Sequence, residues 1–330
     1  MEEKIDFVMI WVDGNDSKWQ EEKNKYLGTK KEEINRYRDW DNLQYWFRGV
    51  EKFAPWVNKI HFVTYGHLPK WLNVNHPKLN IVKHKDYIPE EYLPTFSSIP
   101  IELNLHRIEN LSENFVFFND DTFIVNNIKK EDFFKNGKPR DFAIENAIIA
   151  LEEKDTFSHV LLNDISLINK NFSKRQVQRK NLNKWLNLKN GKMLLKTLLL
   201  LPWKNFTGIS YSHLPNAYKK STFEEVWKKE YEALDLTSKN KFRTKYDVNQ
   251  YLFEFWQIVK GEIEFRKKDY GECIELTNDT IEYACNRIIK PKTKMICIND
   301  SDMSIDFEKA KEMIKQAFEK ILPDKSEFEI

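Results

Sequence analysis

Cysteine is scarce in this 330-residue chain: Cys273, Cys285 and Cys297 are the only three. An odd number at wide spacing argues against a disulfide framework and against a zinc knuckle, so the thiols are expected to be reduced and partly buried. Long apolar runs are missing as well, since none approaches the roughly 18 to 20 residues needed to span a bilayer. The opening stretch MEEKIDFVMI lacks the basic start and long apolar core of a signal peptide and enters a strand pattern almost at once. These absences lead to the expectation of a cytosolic protein. Net charge is no guide either, because 53 basic residues face 51 acidic ones. The most informative absence is local. From Ile165 to Phe223 there is no Asp or Glu, yet the span carries Lys170, Lys174, Arg175, Arg179, Lys180, Lys184, Lys189, Lys192, Lys196, Lys204, Lys219 and Lys220.

What is present begins with a composition, 41% hydrophobic and 14% aromatic, that suits a packed globular protein rather than a disordered one. The stretch FVFFNDDTFIV at Phe115 to Val125 organises the rest. Phe115 to Phe118 is the short continuous apolar run of a strand buried on both faces of a parallel sheet, and it runs straight into Asn119, Asp120 and Asp121. Ligands bind outside the carboxyl ends of such strands, and two adjacent carboxylates there suit a divalent cation with hard oxygen ligands. A plain polar turn is the alternative, since Asn and Asp favour turns. Ile5 to Val12 forms a second strand pattern that ends in Asp13, Gly14, Asn15 and Asp16, where Gly14 would let the backbone approach a ligand.

An amphipathic helix follows, with Trp40, Leu43, Phe47, Val50 and Ala54 at helical spacing and Pro55 at its end. Just ahead of it, Arg36 and Arg38 could clamp phosphate, because guanidinium matches phosphate in a bidentate way. Strands at Ile60 to Tyr65 and Leu79 to Lys83 complete an alternation that predicts a Rossmann-like α/β layer. The spacing next predicts a helix capped by Ser98, with Ile101, Leu105 and Ile108 on one face and Glu102 and His106 four residues apart on another. By about residue 145, after Phe142 to Ile144, the sheet is expected to be complete.

In the acid-free span, Trp185, Leu188, Leu194, Leu195, Leu198 to Leu201, Trp203 and Phe206 interleave with the cations. Anionic lipid would attract the cations while the apolar face inserts. Nucleic acid would account for the charge equally well, and a core helix with a solvated basic face is a third reading. The aliphatic content exceeds what phosphate tracking requires, which favours a membrane surface and no nucleic acid. Further on, His213 lies just ahead of Leu214 and Pro215, in extended or loop geometry where it can point into a site. Met295 to Ile298 forms a short strand closing on Asn299 and Asp300, and the last helix, with Phe307, Ala310, Ile314, Ala317 and Ile321 on one face, reads as structural.

Taken together, these pieces resemble the Stealth family of sugar-1-phosphate transferases. The resemblance rests on IDFVMIWVDGND at Ile5 to Asp16, then on RYRDWDNLQYWFR, APWVNKIHFVTYG, LPTFSS, the Glu102, His106, Arg107 helix and FFNDD between Arg36 and Val125. It extends to SHLPNAY at Ser212 to Tyr218, KFR at Lys241 to Arg243 and, more weakly, ICIND at Ile296 to Asp300. Ser97 departs from the pattern, standing where the family has Asn.

The resemblance implies an α/β fold, Rossmann-like and GT-A-like, with a mostly parallel sheet flanked by helices. Residues 1–145 would be a nucleotide-sugar-binding core, 146–221 a basic helical insertion on the acceptor or membrane side, and 222–330 a helical lobe plus a strand returning to the core. It implies transfer of hexose 1-phosphate, in the expected case N-acetylhexosamine 1-phosphate, from a UDP-sugar to a hydroxyl of a glycan or lipid-linked oligosaccharide. UMP would be released, in bacterial capsule or cell-surface polysaccharide synthesis, at the inner face of the cell membrane. Asp120, Asp121 and Asp300 would hold Mg²⁺ or Mn²⁺, and Arg38, Arg107 and Arg243 would neutralise the phosphate in transfer. His213 is the first choice of general base and His106 the second. Asp13, Gly14, Arg36 and Asn119 would lie near the nucleotide. Two other readings stay open: a GT-A glycosyltransferase that releases UDP, and a non-catalytic, membrane-associated subunit that binds nucleotide sugar.

Overall fold

The computed structural model describes residues 3–28, 39–150, 155–267, 270–300 and 305–330. Among them the strands, in chain order, are β1 (Ile5–Ile10), β2 (Ile60–Thr64), β3 (Leu79–Lys83), β4 (Asn114–Phe118), β5 (Thr122–Ile124), β6 (Phe134–Lys135), β7 (Lys138–Asp141), β8 (Asn216–Lys219), β9 (Glu264–Phe265), β10 (Gly271–Leu276) and β11 (Met295–Asp300). The main sheet has the order β3-β2-β1-β4-β8, parallel through β4 and antiparallel at the β8 edge. The fold is therefore α/β, with the expected Rossmann-like layer at its centre.

The chain builds outward from β1 to β3 and then returns to the other side of β1 as β4. That reversal creates a switch point at the carboxyl ends of β1 and β4, where open α/β sheets bind ligands. A second sheet, β10-β11-β5, pairs β10 and β11 in parallel and sets β11 antiparallel to β5. Because β5 follows β4 after a three-residue turn, this pairing brings the end of β11 to the same edge.

Period-two alternation explains why these runs are strands. Phe7, Met9, Val116 and Phe118 enter one core, whereas Val8, Ile10, Phe115 and Phe117 enter the other. The helix Leu43–Phe53 covers the first face with Trp46, Phe47 and Val50. Its Gly49 lies so close to β5 that a Cβ there would sit 2.7 Å from the Ile124 carbonyl oxygen. The helix Tyr251–Lys260 covers the second face, burying Phe253, Phe255, Trp256 and Ile258.

Three local expectations are corrected. The sheet is not complete by residue 145, because β8 adds its fifth strand from within the span 146–221. An antiparallel edge strand needs no continuous apolar run, so Asn216–Lys219 carries no strong strand signal. The helix through Glu102 and His106 is also interrupted. Its cap is Ser97 and not the expected Ser98, which is already the first helical residue: the Ser97 hydroxyl accepts from the Ile99 N–H at 3.3 Å, and the helix ends at Leu103. Asn104, at φ −99° and ψ 2°, turns the chain into a 3₁₀ turn over Leu105–Arg107.

The acid-free span begins inside the helix Thr156–Asn171 and continues mainly as the helices Lys174–Lys180, Leu182–Trp185 and Leu194–Leu200. Trp185 and Phe206 are buried and anchor it. Leu194–Leu200 is inverted: Thr197 is 0% exposed, whereas Leu195, Leu198 and Leu199 are 59%, 44% and 64% exposed. The Thr197 hydroxyl accepts from the Glu145 N–H at 3.0 Å. Lys174 pairs with the Glu145 carboxylate at 2.7 Å, both side chains being at most 1% exposed, and donates to the Leu200 carbonyl at 2.6 Å. Gln178 donates to the same carboxylate at 2.6 Å. Burial raises the Glu145 carboxyl above its usual range even though Lys174 and Gln178 pull it down. No helix among the described residues is long and apolar enough to cross a membrane.

Candidate active site

A cavity of about 620 Å³ opens at the switch point. Among the segments that deliver polar side chains to it are those of Asn119, Asp120 and Asp121 after β4, His213 ahead of β8, Arg243, and Asn299 with Asp300 at the end of β11. Local bonding explains each placement. Thr122 closes a tight turn by donating from its N–H at 3.2 Å and from its hydroxyl at 2.8 Å to the Asn119 carbonyl, which turns the two aspartates out of the sheet. The Ile298 N–H donates to the Asp121 carbonyl at 2.8 Å, so Asn299 and Asp300 continue past that turn. Since β8 is antiparallel to β4, its start lies beside the end of β4, and His213 arrives there.

Asp121 is the hub. Its Oδ2 lies 3.1 Å from His213 Nε2 and accepts from Cys297 Sγ at 3.4 Å. Burial alone would lower the His213 pKa, but the hydrogen bond to Asp121 and its charge outweigh this and raise it to about 9. Asp120 is pushed up to about 7, first by burial and then by the neighbouring Asp121 charge. The aspartate pair thus resists carrying two negative charges on its own. On the wall, burial raises Glu102, against the pull of the Ser98 hydroxyl and Arg243, and Arg243 donates to that same hydroxyl at 3.3 Å.

The remaining candidates are placed as follows. Asp13 and Gly14 form the turn after β1, just beyond Val12 on the cavity wall. The Asp13 N–H donates to His67 Nε2 at 2.7 Å, and its carboxylate accepts from the Asn15 N–H at 2.9 Å. Arg36 and Arg38 lie outside the described residues. His106 and Arg107 do not join the cluster. The break at Asn104 turns them away from Glu102, so the expected meeting of Glu102 and His106 is corrected. His106 is buried between Phe223 and Trp227, with its pKa lowered to about 3 by burial and then by Arg107. Arg107 stacks over Trp227 at 4.9 Å and donates to the Asn104 carbonyl oxygen of the side chain at 3.0 Å. Cavity residues to which the sequence pattern assigns no role include Tyr211, Tyr251, Cys273 and Glu102. Of these, Glu102 had a signal, as the carboxylate on an otherwise apolar helix start.

The family description "Stealth protein CR1, conserved region 1" matches residues 3–31, and "Stealth protein CR2, conserved region 2" matches residues 36–141. A Streptococcus pneumoniae protein named capsular polysaccharide phosphotransferase WcwK is 45% identical over 99% of this chain and 98% of its own length. This chain belongs to the Stealth family. A second Stealth relative, the receptor polysaccharide phosphotransferase WefC of Streptococcus gordonii, is 43% identical over the full length of both chains. The protein is accordingly an enzyme, a phosphotransferase that moves a sugar phosphate. Among solved structures, galactosyltransferase LgtC in complex with donor and acceptor sugar analogs aligns over 94% of this chain and 95% of its own, at 9% identity and a TM-score of 0.41.

Proposed function

We propose that the crevice transfers hexose 1-phosphate from a UDP-sugar to a hydroxyl of a glycan or lipid-linked oligosaccharide, forming a phosphodiester and releasing UMP in capsule or cell-surface polysaccharide synthesis. The observation that carries this is the convergence of two aspartates, a histidine and an arginine, from three distant segments, on one cavity at the switch point. Phosphoryl transfer needs positioning, charge neutralisation and activation of the attacking oxygen, and little more. Arg243, with Arg38 from outside the described residues, would neutralise charge on the phosphate. Asp13, Gly14, Arg36 and Asn119 would border the nucleotide, and His213 would take the proton of the acceptor hydroxyl. His106 and Arg107, buried or turned elsewhere, have no part in this reading.

Asp120, Asp121 and Asp300 line the cavity together with Asn119 and Asn299 and would supply the hard oxygen donors that Mg²⁺ or Mn²⁺ takes, although the donor atoms that lie within 4.8 Å of one another among the described residues are those of Asp121, His213 and Cys297. When bound, the cation would supply positive charge to the diphosphate and offset the Asp121 charge that holds His213 protonated. The division into a nucleotide-binding core, an insertion at 146–221 and a final lobe is kept on the same reading, with β8 of the insertion completing the sheet. The exposed leucines, with Trp203 and the exposed Lys189, Lys192, Lys196 and Lys204 around them, would seat the insertion on anionic lipid at the inner face of the cell membrane.

The test is the nucleotide released when purified protein, Mg²⁺, a panel of UDP-sugars and a membrane extract react. UMP with a new phosphodiester is expected. UDP would make the enzyme a glycosyltransferase and sink the roles given to Arg243 and His213.

A further inference from the structure

Asp121 stands between two donor sets of unlike chemistry. On one side are the oxygen donors of the proposed hard-cation site. On the other are a nitrogen and a sulfur: His213 Nε2 and Cys297 Sγ, at 3.1 Å and 3.4 Å from the same carboxylate oxygen. All three donor atoms lie within 4.8 Å of one another. Zinc binds carboxylate, imidazole and thiolate at about 2.0 to 2.3 Å in a tetrahedron, which sets ligand atoms roughly 3.3 to 3.7 Å apart. Both separations from Asp121 already lie at or near that edge length.

The three donors come from three fixed places: the turn after β4, the approach to β8, and β11. Cys297 is buried, and in β10 the residue in register with it is Cys273, which lines the cavity. A thiolate and an imidazole select against Mg²⁺ and for thiophilic ions. A set of three protein ligands beside an open cavity also matches zinc sites that leave a fourth position for water or a substrate oxygen.

We propose that Asp121, His213 and Cys297 form a site for a thiophilic divalent cation of the zinc class, and that an ion held there stops the transfer reaction. Binding displaces the Cys297 thiol proton and the imidazolium proton of His213 to solvent. Inhibition follows because the ion takes the carboxylate and the proton acceptor that transfer requires, a consequence that rests on the function proposed above. The zinc knuckle argued against from cysteine spacing is a different arrangement, since this site takes a single cysteine from a strand.

Cobalt(II) added to the chelator-treated chain tests the site without any turnover. One ion per chain is expected, with a near-ultraviolet thiolate-to-cobalt band that zinc abolishes on displacement. In Cys297→Ser the band is lost and zinc affinity falls at least tenfold, whereas Cys273→Ser keeps the band. If Cys297→Ser fails to fold by circular dichroism, His213→Gln is the second arm: affinity falls at least tenfold with the band retained. Absence of the band in the parent chain, or its survival in folded Cys297→Ser, overturns the site. In the Mg²⁺-supported assay, micromolar zinc is expected to suppress turnover and a chelator to restore it, and full turnover with zinc bound would overturn the inhibitory role. Because the cobalt band reads metal alone, its failure and the failure of UMP release are separate results.

Discussion

The crevice and the leucine helix Leu194–Leu200 are built by opposite means. In the crevice, polar side chains that lie from residue 119 to residue 300 are gathered at the end of an apolar sheet. In the helix, leucines adjacent in sequence are turned outward above a buried polar knot of Glu145, Lys174, Gln178 and Thr197. One region is made by topology and the other by local composition. The consequence is that they should fail separately: damage to the first should stop chemistry, and damage to the second should change where the protein sits.

The sharpest way to break that comparison is Asp121→Ala. Losing the hub should cut transfer by about 10²- to 10³-fold, the scale of removing a preorganised charge-stabilising group, while sedimentation with anionic liposomes is unchanged. A matched loss of pelleting would mean that the two regions are one. Next in size is Lys174→Ala, which leaves Glu145 charged, buried and unpaired. We expect it to destabilise by about 3 kcal/mol in urea unfolding, with much of this recovered in Lys174→Met/Glu145→Gln, because an apolar replacement of a buried pair is often neutral. Arg243→Lys keeps the charge and loses the planar donor fork. It should lower transfer by about tenfold or more and leave the unfolding midpoint within the effect of a partly exposed substitution, about 0.5 kcal/mol. Smallest in energy is Leu195→Ser with Leu199→Ser. Giving up part of the burial of two leucines, about 0.5 kcal/mol each, should weaken liposome binding by about fivefold while transfer to a short soluble acceptor changes less than twofold. Pelleting of the parent chain should also fall as salt rises; retention at high salt would assign the attachment to leucine alone.

The same contrast governs what was legible beforehand. The strands around β1 and β4 are short, mainly apolar runs that end in Asn, Asp and Gly, and these were readable because burial on both faces admits few polar residues, the buried Asp6 of β1 being held by His61 of β2 at 3.1 Å. The aspartates of the turn, His213 and Asp300 could be marked individually. Their meeting could not, since it depends on β11 turning antiparallel to β5 and β8 to β4, which no local pattern encodes. Cys297 illustrates this, being an ordinary buried strand residue until its neighbour across 176 residues is known. His106 illustrates the converse. Four-residue spacing implies contact only inside an unbroken helix, and the Asn104 side chain, donating to the Pro100 carbonyl at 2.8 Å, accompanies the break that separates it from Glu102. Ser97 is a milder case, because serine and asparagine cap a helix about equally well.

The backbone bond from Ile298 to Asp121 sets an order on how the protein comes into being. On the ribosome, β4 and its aspartates emerge long before β11 does, and at roughly 5 to 20 residues per second the gap amounts to about 10 to 35 seconds. During that interval the sheet can assemble through β4 while one wall of the crevice is still missing. A nascent chain would therefore be unable to engage donor until nearly all of it had been made, and synthesis itself would act as a clock on the onset of activity.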